Sequence, residues 1–124
     1  MGGILLTSRT GGEYGLLEIT DGTARMLWLN RFVGRDSAGK PRWEVLAVLR
    51  RPEIREGEYL VKALCEQDGT RDPEIFAIVD RAAEPEDVER YTRIRRAWRA
   101  DLERGRIEEI PVAGITCLNE AAGV

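Results

Sequence analysis

The two cysteines, Cys65 and Cys117, are the most chemically versatile side chains in this 124-residue sequence. A thiol becomes a nucleophile when a histidine, a helix N-terminus or nearby cations lower its pKa. The chain contains no histidine, and Cys65 closes an apolar run, Tyr59-Leu-Val-Lys-Ala-Leu-Cys65. Neither cysteine sits in a CxxC pair or at a zinc-ligand spacing. Two readings stay open. One is a packed thiol in a strand with a second thiol near the tail. The other is a disulfide tying the C-terminal segment to a central strand, which would require an oxidising compartment.

Acid–base chemistry would have to come from carboxylates, because the commonest general base is missing. Asp68, Asp72, Glu74 and Asp80 gather around one expected hairpin. Oxygen-rich loops can hold calcium, and paired carboxylates can move protons. Asp68-Gly-Thr-Arg-Asp72 lacks the ligand density of an EF-hand loop, however, and Gly2-Gly3, Gly11-Gly12 and the stretch from Gly34 to Gly39 match neither a P-loop nor GxGxxG. No catalytic residue, metal ligand or cofactor site is assigned from these patterns.

The segment Arg90–Arg106 carries seven arginines with Tyr91 and Trp98 among them. Guanidinium groups beside ring faces are the ingredients of a nucleic-acid surface. Glu84–Glu109 also carries eight acidic residues, so a salt-bridged, solvated face is the better account. Arg93, Arg96, Arg99 and Trp98 remain candidates for an interaction surface. Trp28 and Trp43 fall on neighbouring expected strands and read as one hydrophobic cluster. An exposed ring at either position would mark a contact surface, because Trp is enriched among interface anchors.

The elements that position these residues follow from periodicity. Three short apolar runs, Trp43–Leu49, Tyr59–Cys65 and Ile75–Val79, are rich in branched and aromatic residues and bounded by turn residues, as buried strands are. Ile4–Thr7, Tyr14–Thr20 and Ala24–Phe32 precede them, with Asp21-Gly22 as a hairpin turn. Within Ala24–Phe32, Met26, Trp28 and Phe32 share one face, and Leu27 and Leu29 share the other. Trp43–Leu49 is apolar on both faces, which predicts an interior strand rather than an edge. Val48, Leu64 and Ile78 are accordingly expected to be buried. Glu58–Glu66 reads as one strand, Glu74–Asp80 as the next, and Ile115–Leu118 as the last.

Beyond Glu84 the period becomes helical. Val88, Tyr91, Ile94, Trp98 and Leu102 recur three or four apart, acids come early and arginines late, and Pro85 suits a first helical turn. This predicts one amphipathic helix over about 85–95, with an extension toward 104. The competing reading of 96–110 is a β-hairpin turning at Asp101–Gly105.

The expected fold is therefore α+β and mostly β: a single domain over 1–124, built as a small antiparallel sandwich or barrel of about 6–8 strands with that helix packed on it. Hydrophobic content of 43% and charged content of 33% suit a globular chain rather than a disordered one. The longest apolar run falls far short of the roughly 20 residues that a spanning helix needs. A net charge of −3 gives no global attraction to nucleic acid or anionic lipid. The N-terminus lacks the pattern of a signal peptide, so a cytoplasmic address is the default and an exported mature form the alternative. The function expected from all this is a non-catalytic binding module, whose partner is another protein or a second copy meeting it at an open sheet edge. Weaker alternatives are a small hydrolase or isomerase using carboxylates and arginine, and nucleic-acid binding through Arg90–Arg106.

Overall fold

The computed structural model describes residues 3–7 and 11–120. Among the described residues twelve strands run in chain order: β1 Gly3–Thr7, β2 Glu13–Asp21, β3 Ala24–Arg35, β4 Pro41–Arg50, β5 Glu58–Lys62, β6 Cys65–Gln67, β7 Thr70–Arg71, β8 Ile75–Asp80, β9 Arg90–Tyr91, β10 Ile94–Asp101, β11 Arg106–Ile110 and β12 Ile115–Leu118. They form three four-stranded sheets, ordered β1-β2-β3-β4, β11-β10-β8-β5 and β7-β6-β12-β9. None of these sheets closes on itself, so the expected sandwich or barrel of 6–8 strands is replaced by three open sheets. The chain divides into two compact units: one runs up to Pro52 and includes Ala100–Ile107, and the other comprises Glu53–Arg99 and Glu108 onward.

The first sheet is an antiparallel meander. Register pairs Leu16 with Leu29 and Leu17 with Trp28 between β2 and β3, and Leu29 with Ala47 and Trp28 with Val48 between β3 and β4. Directly paired residues share a face. One face therefore carries Leu6, Tyr14, Leu16, Leu27 and Leu29, all buried. Against expectation, β4 is the edge of this sheet and not an interior strand. A register shift between the Leu29 and Asn30 pairings leaves Leu46 as an extra residue, and such a bulge bends an edge strand.

The second unit is centred on β8. Ile75, Phe76, Ala77, Ile78 and Val79 are all 0% exposed, so this strand is covered on both faces. One of its faces joins Val61, Cys65, Tyr91, Ala97, Ile115 and Cys117 in a continuous cluster. On the other, Phe76 lies opposite Trp98 and stacks on it, with ring centroids 5.4 Å apart. The expected single strand Glu58–Glu66 is broken: Ala63 adopts φ 65°, and the chain leaves the second sheet as β5 to enter the third as β6. At Gly57, φ is 81° and an added Cβ would stand 2.7 Å from that of Ala82, so this turn admits no side chain.

The expected amphipathic helix over 85–95 or 85–104 is absent among the described residues; the sole helical element there is a 3₁₀ turn at Arg81–Ala83. Tertiary partners take the backbone groups a helix would use. The Asn119 side-chain amide donates to the carbonyls of Glu86 and Val88, and the Asn119 backbone N–H donates to that of Glu89. The Glu84 carboxylate accepts from the Thr92 N–H and hydroxyl. Beyond this loop the hairpin reading prevails: β10 pairs with β8, the chain turns through Leu102–Gly105, and β11 returns beside β10. A register shift between Ile94 and Arg96 sets Ile94 on the Val79 face of β8 and Trp98 on the Phe76 face, while Leu102 falls in the turn; the β-favouring Ile and Trp side chains gain more against β8 than helix propensity offers.

Candidate functional site

The second face of the first sheet is built from the alternate residues of the same strands. Leu5 on β1, Leu17 and Ile19 on β2, Met26, Trp28 and Phe32 on β3, and Trp43, Val45 and Val48 on β4 all point to it by register. Leu5 is 78% exposed, Val48 54%, Val45 46% and Trp43 39%, and the other five are half-buried. Val48 therefore stands in water, contrary to the expectation of burial, whereas Ile78 is fully buried and Leu64 half-buried. Isolated exposed apolar residues carry no message, but a contiguous patch does.

Trp43 organises the centre of this face. Its ring meets Phe32 edge-on at 5.5 Å. Its Cζ3 would lie 3.9 Å from a Cβ at Gly15, which is two strands away on β2. The indole thus reaches across β3, and the missing side chain at Gly15 leaves room for it. Asn30 lies between Gly15 and Val45 in the same cross-strand row. It is 5% exposed, and neither its Oδ1 nor the Nε1 of Trp28 has a hydrogen-bond partner among the described residues. Charged and polar groups rim the patch: the Arg35 guanidinium stands 5.8 Å from the Phe32 ring centroid, Arg50 pairs with Met26, and Glu13 pairs with Thr7.

The residues singled out from the sequence lie elsewhere. Cys65 and Cys117 are bonded to each other, directly opposite in the β6–β12 register, with Cα atoms 3.9 Å apart. Trp98 is 2% exposed and forms no surface. Arg96 covers its ring at 4.8 Å and pairs with Glu109 at 2.7 Å. Arg99 pairs with Asp72 at 2.5 Å, and Arg93 is exposed. Arg90 pairs with Glu66 and Arg95 with Glu58, so most arginines of this segment are already matched to carboxylates.

Two open grooves mark the second unit. One, of about 390 Å³, is lined by Gly57, Arg81, Glu84 and Tyr91 among others. The other, of about 540 Å³, is lined by Arg55, Glu58, Asp80, Arg93 and Arg95 among others. In the latter, two hydrogen bonds from Arg95, at 2.5 and 2.9 Å, hold the Glu58 carboxyl below its ordinary pKa. Arg96 does the same to Glu109. A general acid needs a shift in the opposite direction. Asp68, Asp72, Glu74 and Asp80 do not converge: Asp72 is tied to Arg99, and the Asp80 side chain accepts from the Ala83 N–H of the 3₁₀ turn. No group of three metal-ligating side chains is found among the described residues.

The open apolar face of the first sheet was only partly legible. Trp28 and Trp43 were visible as an aromatic pair, but nothing in the residue pattern distinguished a covered face from an open one. Comparisons with protein-family models, with curated proteins and with solved structures found no match.

Proposed function

We propose that this chain is a non-catalytic interaction module and that the apolar face of β1–β4 is its binding surface. The observation that carries this reading is the exposure of Leu5, Trp43, Val45 and Val48 on one continuous sheet face whose opposite side is a packed core. Folded chains rarely leave so apolar a surface in water unless something covers it. Trp43 supplies the kind of large, rigid ring that anchors interfaces. The rim of Glu13, Arg35 and Arg50 supplies the polar border usual around such a core. The direction of the Glu58 and Glu109 shifts, both downward, weighs against acid–base catalysis by those groups. The matching of Arg90, Arg95, Arg96 and Arg99 to carboxylates weighs against phosphate binding there. The Cys65–Cys117 bond supports a working life in an oxidising compartment.

The test is site-specific photo-cross-linking in the native cell. A photoreactive amino acid is placed at Val48 or at Leu5, and, as a control, at the exposed turn residue Glu103. Discrete adducts at positions 48 and 5 and none at 103 are expected. Equal labelling at all three positions, or none at any, would sink the reading.

A further inference from the structure

We propose that the occupant of this face is the same face of a second copy, packed sheet on sheet about a two-fold axis that runs along the strands. The inference rests on the face being a binding surface and adds the identity of its partner. Three features point to self-association.

The first is area. From the fractional exposures and side-chain areas of about 150–250 Å² for the large residues, the patch offers on the order of 600 Å² per copy. A pair would bury about 1,200 Å², enough for a specific interface at the small end of the usual range.

The second is shape. The central row across the sheet is Leu5, Gly15, Asn30, Val45. A two-fold along the strands reverses the strand order of the facing copy. Leu5 then meets Val45, the two exposed ends of the row, whereas Gly15, over which Trp43 reaches, and Asn30 are already covered within one chain. Face-to-face sheets pack at about 10 Å, with strands within roughly 30° of each other.

The third is charge. The same operation brings Phe32, with Arg35 over its ring, opposite Glu13 of the other copy. A two-fold repeats that match, giving two oppositely charged contacts at the rim. A rim carrying both signs also suits a protein partner better than an anionic bilayer, which would favour a uniformly basic border.

The experiment is sedimentation equilibrium across micromolar concentrations, comparing wild type with Leu5→Glu, Val48→Glu, Arg35→Glu and the double variant Arg35→Glu/Glu13→Arg. Leu5 and Val48 are already in water within one chain, so these changes should leave the fold intact, as circular dichroism and melting will verify. The wild-type mass should approach twice the 14.0 kDa of the chain. Leu5→Glu and Val48→Glu should each weaken association by roughly tenfold or more, and the double variant should recover part of the loss in Arg35→Glu. A dimer lost with Val48→Glu but kept with Leu5→Glu would mean pairing at the β4 edge and would overturn the face-to-face arrangement. Monomeric wild type at every concentration, with or without binding to anionic vesicles, would overturn self-association. In that case adducts to another protein at positions 48 and 5 would leave the interaction module standing, and their absence would end both readings.

Discussion

Removing the Cys65–Cys117 bond should destabilise the protein by an amount set mainly by the loop it closes. The cysteines are 52 residues apart, and the chain-entropy model gives about 4 kcal/mol for a loop of that length. Both residues are fully buried within the apolar cluster of the second unit. Their reduced thiols would still pack as small hydrophobes, so the native state changes little and the loss falls on the unfolded-state side. For unfolding of the whole chain, with an entropy of about 2.1 cal/mol/K per residue, the drop in Tm is on the order of 15 °C. The assay is calorimetry with and without a thiol reductant, run beside the Cys65→Ala/Cys117→Ala double variant and a thiol titration of the denatured wild type. Oxidised wild type should titrate no thiol, and the reduced and double-variant proteins should melt together at the lower temperature. Two titratable thiols in protein purified without reductant, or a melt unmoved by reduction, would refute the reasoning.

Acid should weaken the second unit through Glu58. Its folded pKa lies below the ordinary 4.5, chiefly because of the Arg95 hydrogen bonds. The resulting stabilisation is therefore fully present above about pH 4.5 and is lost as pH falls through the folded value. Glu58→Gln should flatten that part of the stability–pH curve, and an unchanged curve would count against the pairing. Trp98→Ala should cost about 3–5 kcal/mol in denaturant melts, because a fully enclosed ring stacked on Phe76 is removed. Gly57→Ala should cost about 1–3 kcal/mol in the same assay, since the new methyl would collide with Ala82 at a positive φ.

Several elements were readable from residue order alone. The hairpin expected at Asp21-Gly22 does join β2 to β3, with its turn one residue on at Gly22-Thr23, the alternation of Leu27 and Leu29 against Met26, Trp28 and Phe32 sorts onto two faces, and Ile75–Val79 is a strand buried on both sides. These depend on local sterics and on period-two patterning, which act within a few residues.

What only the tertiary structure decided involves partners far along the chain. The stretch after Glu84 carries helical spacing, yet Asn119 and Glu84 capture its backbone groups, and β8 draws Ile94–Asp101 into a sheet. The cysteines meet because β6 and β12 are neighbours, a pairing that no spacing rule encodes. Trp43–Leu49 is apolar on both faces, and that was legible; its place at a sheet edge, with Val48 and Trp43 in water, was not. Apolar content records that a face favours burial. Whether the cover comes from the same chain or from another molecule is fixed only by how the sheets are assembled.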